Sequence, residues 1–243
     1  MNKRSQRGLW FAIAIGLTAC GTTVPPQGAF EPPAPAPFQQ EEAIGSLFPG
    51  DAEVLSDSAI RRILAYEFTL PQTVRIAILE LGGRPAYRAW WSEETARWDT
   101  HITDTLVATL EASPRVGLAN VLPILLVPAK RTVPHLREAA ARFQADLLLV
   151  YQPRCGVFER SRFLAANEHR VTCTVEAVAL DTRSGIVPFT GVRTRSMVVQ
   201  RQGEDFNERD MLARGQFQAV AEAVGALAEG IVDLVASIPT GGA

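Results

Sequence analysis

The chain has 243 residues, 47% of them apolar and 21% charged, with 24 basic against 26 acidic side chains. That composition excludes a wholly disordered chain, and the near-neutral balance lacks the basic excess of a dedicated nucleic-acid binder. No stretch approaches the ~20 apolar residues of a membrane-crossing helix. Three cysteines and three scattered histidines leave little material for a metal cage.

Residues 1–19 read as a signal peptide. Lys3, Arg4 and Arg7 precede the apolar run 8–17 (GLWFAIAIGL), too short for a stop-transfer helix but suited to a secretory leader. Leu17-Thr18-Ala19-Cys20 follows and resembles the bacterial lipobox, small residues before an obligatory cysteine. The resemblance implies cleavage before Cys20 and attachment of acyl chains, palmitate among them, to that residue. The alternatives are an ordinary leader with a coincidental cysteine, or a short membrane anchor. Each buried methylene contributes ~0.8 kcal/mol, so several chains would hold the protein on its membrane. In proteobacterial lipoproteins an Asp after the cysteine favours inner-membrane retention. Gly21 stands there, so the expected location is the outer membrane, with the protein facing the periplasm. Cleavage removes Lys3, Arg4 and Arg7 and leaves 21 basic against 26 acidic side chains. Such a mildly acidic body has no net attraction for anionic lipid or nucleic acid.

Residues 20–50 form a lipidated cysteine and a tether. Positions 21–50 hold seven of the sixteen prolines and almost no apolar periodicity. Proline fixes φ and removes donors, so an extended, partly polyproline II linker is expected, reaching on the order of 90 Å when stretched. A Pro-rich docking ligand is the other reading.

From residue 51 the pattern is globular. Residues 56–66 (SDSAIRRILAY) suit a short helix with Ile60, Ile63 and Leu64 on one side. Residues 74–81 (VRIAILEL) read as a strand buried on both faces. A helix over 92–112 follows, with Trp98, Ile102, Leu106 and Leu110 on one face and Ser113-Pro114 ending it. Residues 116–127 predict one or two short strands broken at Pro123. Thr132-Val133-Pro134 opens another helix, with Leu136, Ala139, Ala140 and Phe143 inward. Residues 147–152 (LLLVYQ) form a second double-buried strand. Residues 170–181 and 186–199 predict two more, joined by the turn Asp181-Thr182-Arg183-Ser184-Gly185. The segment 210–238 is a long amphipathic helix, with Phe217, Val220, Val224, Leu227, Ile231, Leu234 and Ile238 recurring every three or four residues. Crossover helices demand parallel strands and hairpins antiparallel ones. The predicted fold class is therefore α/β (α+β). It has a single mixed sheet with early βαβ crossovers, late antiparallel hairpins and a long C-terminal covering helix. Residues 51–239 make one domain and 240–243 a tail.

Three stretches then carry a family resemblance. The strand 74–81 is followed, after a loop, by a helix ending in LEASPRV (110–116). The helix-to-strand step is FQADLLLVYQ (143–152). The strand-turn-strand VEAVALDTRSGIVPFT (175–190) places Asp181 and Gly185 in an Asp-x-x-x-Gly turn. Together they resemble a group of bacterial envelope proteins. The group comprises the amino-terminal domain of the periplasmic Tol-system propeller protein, the curli-secretion channel lipoproteins and the lipoprotein activators of penicillin-binding proteins. The likeness covers most of residues 68–238 and implies that fold and a tethered-adaptor style of action. The channel lipoproteins insert long alternating hairpins into a bilayer. Here residues 154–170 carry Arg154, Glu159, Arg160, Arg162, Glu168 and Arg170, a charge density at odds with lipid-facing barrel strands, so no pore is expected.

Catalytic chemistry needs grouped side chains. His101 on a helix, His135 at a helix start and His169 in a loop are not grouped in sequence, and Gly82-Gly83 lacks the continuation of a phosphate-binding loop. No enzymatic activity, metal or cofactor is expected. With Cys20 consumed by lipid, Cys155 and Cys173 form an even pair in an oxidising compartment. If their strands form a hairpin the sulfurs face each other, and a disulfide closing ~18 residues contributes about 3 kcal/mol. Two buried thiols, or a redox pair lacking the CxxC spacing, are the alternatives. The disulfide would pin a charged loop, 156–170, as a contact surface that includes Arg160 and Arg162. Trp90 and Trp91 are either an exposed binding patch or cover for the sheet edge. Arg193 and Arg195 alternate on the last strand, as a solvated face or as a strip facing a partner.

The expected function is a periplasmic lipoprotein that binds, assembles or regulates another envelope protein. A ring-forming, homo-oligomeric subunit of an export or surface complex is the alternative, and an unrecognised envelope hydrolase the third. Its partners would be the membrane, through the N-terminal lipid, and an envelope protein, without nucleic acid.

Overall fold

A computed structural model describes residues 46–48, 55–82, 93–160, 168–203, 205 and 207–241. The leader, Cys20, most of the tether, Trp90, Trp91 and Arg162 lie outside the described residues. Gln39–Ala243 forms one compact unit.

Its elements run α1 (Asp57–Leu64), β1 (Val74–Glu80), α2 (Glu93–Glu111), β2 (Val116–Val121), α3 (Val133–Arg142), β3 (Leu147–Arg160), β4 (Glu168–Asp181), β5 (Phe189–Val199) and α4 (Glu208–Ser237). The sheet order is β2-β1-β3-β4-β5. β1 runs parallel to β2 and β3, while β4 is antiparallel to both β3 and β5. The fold is thus a single mixed sheet with two βαβ crossovers, two late hairpins and a long final helix.

The two crossover helices lie on opposite faces. The larger core joins α2 and α4 to one face. Ile102, Leu106 and Leu110 of α2 and Val220, Val224, Leu227 and Ile231 of α4 pack there with Ile76, Ile78, Leu147, Leu149, Val171 and Val175. The smaller core seats α3 on the other face through Val133, Leu136 and Ala140 against Ala77, Leu79, Leu148, Val150 and Leu180. β1 and the first half of β3 are therefore covered on both sides, which explains their near-continuous apolar runs. Fully burying each such side chain contributes on the order of 1.5–3 kcal/mol before chain entropy is counted.

Local chemistry sets the helix ends. Asn207 caps α4: its Oδ1 accepts from the backbone N–H of Arg209 at 2.8 Å and of Asp210 at 3.1 Å, and Asp210 Oδ2 accepts from Asn207 N at 3.2 Å. Proline opens α3 in its first turn, where a missing N–H costs nothing. The Asp181 turn is locked twice. Gly185, at φ +80°, donates its N–H to Asp181 O at 2.9 Å, and Asp181 Oδ2 accepts from Ser184 N at 2.7 Å. Arg137 of α3 then reaches over to donate from Nε to Thr182 O at 3.1 Å.

Two expectations need correction, and two others are made more specific. Residues 156–170 are not mainly a loop, because β3 runs to Arg160 and β4 starts at Glu168, so the strands form a long ladder. Beyond the helices this ladder has polar residues on its open face, and the alternation of burial that betrays a strand is lost there. His169 consequently lies in β4, not in a loop. After Pro123 the chain makes a 3-10 turn, Ile124–Leu126, instead of a second short strand. α1 forms, but none of its residues is buried; Ile60, Ile63 and Leu64 remain exposed.

Candidate functional site

The half of the sheet beyond α3 is where the fold leaves side chains free. Strand alternation divides the β3–β4–β5 ladder cleanly. Odd-numbered residues of β4 from Val171 to Ala179 face α4 and are buried. Even-numbered residues face away, toward α3 and then toward solvent where α3 ends.

Cys155 lies directly opposite Cys173 in the register, and the two are joined by a disulfide across 18 residues of sequence. The bond sits on the α4 side, with Cys173 buried and Cys155 packed against the larger core. It thereby fastens the part of the ladder whose opposite face has no helix over it.

On that open face, side chains pair across strands. Arg154 Nη2 donates to Glu176 Oε2 at 2.8 Å. Thr172 and Ser196 share a hydrogen bond at 2.8 Å between their hydroxyls, and Thr174 and Thr194 share one at 2.9 Å. Apolar side chains flank this polar strip. Phe158 is 64% exposed and Val198 50% at one end, and Val192 is 57% exposed at the other. Where the cover of α3 stops, a cleft of about 340 Å³ opens between Leu47, Leu81, Gln152, Glu176, Thr190 and Val192. It lies over β3, β4 and β5, beside Leu81 just after β1. Rotatable hydroxyls, one carboxylate–guanidinium pair and apolar ends suit a flat or extended binding partner.

The titratable groups elsewhere hold structure together. Asp146 Oδ2 accepts from Arg75 N at 2.9 Å, which fastens the entry of β1 to that of β3. Asp205 accepts from Arg214 at both oxygens, at 3.1 and 2.9 Å, and from Gln202 N at 2.6 Å. The Arg214 hydrogen bond, supported by Gln202, holds the Asp205 carboxyl below its ordinary range although burial opposes it. His135 shares a 2.7 Å hydrogen bond with Thr132 at the start of α3. His169 is buried, with Nε2 3.5 Å from Glu208 Oε1 at the start of α4. His101 is exposed on α2. The three histidines are thus on separate elements. Among the described residues no group of three His, Cys, Asp or Glu side chains is placed to hold a metal ion.

Of the arginines singled out from sequence, Arg193 and Arg195 share one face of β5. Arg193 and Arg195 lie on the odd-numbered side of β5, toward α4. Arg195 Nε is 3.9 Å from Glu222 Oε2, and Arg193 is exposed with Nη1 donating to the carbonyl of Val192. Arg160 is the last residue of β3, paired in register with Glu168. Alternation in the sequence places Thr172, Thr174 and Glu176 opposite the apolar face of β4, but it does not show the pairing of the two threonines with Ser196 and Thr194 of β5. The signal for the strip is Thr172 and Thr174, and Thr194 and Ser196, at period two, interleaved on β4 with Val171, Cys173 and Val175.

These features define a class by architecture: a disulfide-fastened α/β unit whose mixed sheet is covered on one face and half-covered on the other. No known family profile matches the chain, and no curated protein does. Several solved structures align with it at low similarity. A lipoprotein from Neisseria meningitidis is 14% identical, with 67% of this chain and 98% of that one covered and a TM-score of 0.33. A minor lipoprotein from Acinetobacter baumannii is 10% identical, with 69% and 97% covered and a TM-score of 0.35. The PelC dodecamer from Paraburkholderia phytofirmans is 16% identical, with 66% and 92% covered and a TM-score of 0.32. Likeness at this level assigns neither family nor function.

Proposed function

We propose that this protein is a lipid-anchored component of the bacterial cell envelope, held at the outer membrane, whose folded unit binds another envelope protein in the periplasm. The observation that carries the reading is Cys20 at the end of Leu17-Thr18-Ala19-Cys20, behind a basic and then apolar leader and ahead of a proline-rich stretch. The Cys155–Cys173 disulfide supports an oxidising compartment. The bare face of β3–β5 supplies the binding surface. The buried carboxylates Asp146 and Asp205 are committed to backbone N–H groups and arginines, which favours binding over catalysis. The style of action follows the Tol-propeller, curli-secretion and penicillin-binding-protein-activator group that the sequence resembles.

Mass spectrometry of the amino-terminal peptide from bacterial membranes tests the anchor: acylated Cys20 is expected, and an intact leader or a free thiol overturns it. A photo-cross-linker placed at Thr174 or Thr194 in living cells tests the surface. Reproducible capture of one envelope protein is expected, whereas no specific adduct overturns the binding role. Adducts only between copies of this chain would replace it with a ring-forming subunit.

A further inference from the structure

The turn that follows β2 is the most exposed apolar feature of the described residues. Ile124 is 84% exposed and Leu125 93%, and Val121 and Leu126 beside them are also exposed. This is a built protrusion. Leu122 is buried and donates its N–H to Ile78 O at 2.8 Å, which roots the segment in the sheet. Leu126 N then bonds Pro123 O at 2.8 Å and Val127 N bonds Ile124 O at 3.2 Å, closing a 3-10 turn between Pro123 and Pro128. Residues 116–129 contain no charged side chain, and Lys130 and Arg131 follow at once. Neither of those two has an ion-pair partner among the described residues, and Lys130 is exposed.

We infer that this turn is a membrane-touching prong. Ile124 and Leu125 enter the interfacial layer of a phospholipid bilayer while Lys130 and Arg131 meet its anionic headgroups. A convex knob of two adjacent, nearly fully exposed aliphatic side chains needs no matching pocket in a fluid interface. Basic side chains just beyond it supply the complementary charge. The body as a whole is acidic, so the attraction is local to this turn. The bilayer meant is the one carrying the Cys20 lipid, and in that respect the inference rests on the anchoring proposed above. The anchor supplies proximity and the prong orientation.

The test uses the lipidated protein, purified from bacterial membranes and reconstituted into phosphatidylethanolamine–phosphatidylglycerol vesicles. In a background with Trp90, Trp91 and Trp98 replaced by Phe, Leu125→Trp is compared with Thr194→Trp, which places the probe on the bare face of β5. Interfacial insertion of ~5–10 Å predicts a blue-shifted Leu125→Trp emission and about twofold or greater excess quenching by nitroxide-labelled lipid. The excess should fall in vesicles of neutral phosphatidylcholine alone. Ile124→Trp provides a second probe should the first variant fold poorly. Equal quenching at Leu125→Trp and Thr194→Trp overturns the inference. So does a blue shift without lipid quenching, which would mean that a second copy of the chain covers the turn. Mass spectrometry of Cys20 on the same sample reads the anchor independently, so failure of the prong and failure of the anchor are told apart.

Discussion

Arg214 reaches from α4 to Asp205 with two hydrogen bonds, and this pair links the segment after β5 to the helix that covers the sheet. Because Arg214 holds the carboxyl below its unfolded value, its contribution is fully present above the unfolded pKa of about 4 and is lost as pH falls through the lower folded value. Arg214→Ala should therefore destabilise the protein at pH 7, and the gap from wild type should narrow below about pH 4. Urea unfolding across that range measures it. Gly215, one position on, works by close approach. A Cβ there would lie 2.3 Å from Val199 Cγ1 and 3.3 Å from Val171 Cγ2. Gly215→Ala should cost about 1–2 kcal/mol net, the overpacking exceeding the helix-propensity gain, and a lowered thermal midpoint would report it. At this scale the sequence was only partly readable. The core stripe of α4 was visible in its period. That Arg193 and Arg195 point toward α4 was hidden, because register and not residue type decides which face a strand residue occupies.

Among the elements, the long β3–β4 ladder differs most from its sequence reading. The segments 74–81 and 147–152 announced themselves as strands because two helical layers force both faces to be apolar. Beyond Cys155 the extension of β3 is exposed on both faces, at Val157 and Glu159 as well as at Gly156 and Phe158, so its charged residues read as loop. Strand pairing there leans on cross-strand contacts and on the disulfide, not on burial of both faces. Replacing Cys155 and Cys173 together by Ser should lower stability by about 3 kcal/mol. Hydrogen exchange should accelerate first in the distal ladder, at 155–160 and 168–173, before the β1–β3 core responds. Uniform acceleration across the sheet would refute that local role. Likewise, β2 ends where Pro123 interrupts the ladder, and the apolar residues after it were read as strand because exposed and buried aliphatics look alike in sequence.

At the scale of the whole molecule, the folded unit has one half-bare sheet face and one exposed apolar turn. The element order and the mixed sheet were readable from crossover and hairpin signals alone, since short connections leave few topologies. The open face was not, because it exists only once β3, β4 and β5 are in register and α3 is seen to stop short. If the anchor is as proposed, Cys20→Ala should move the protein out of the membrane fraction while leaving its folded unit and disulfide intact. Fractionation with non-reducing electrophoresis checks both outcomes. Loss of the disulfide along with the membrane association would instead mean that the variant had not been exported.

The meeting of Leu70 with the segment after α4 has a mechanical consequence. Leu70 N bonds Pro239 O at 3.1 Å, Gly241 N bonds Leu70 O at 3.0 Å, and the Arg115 guanidinium reaches both Pro71 O and Ile238 O at 3.2 Å. Any pull arriving along the chain from the amino-terminal side reaches this clasp before it reaches β1. The load is then shared with the segment after α4, so it would be resisted by that helix as well as by the first strand.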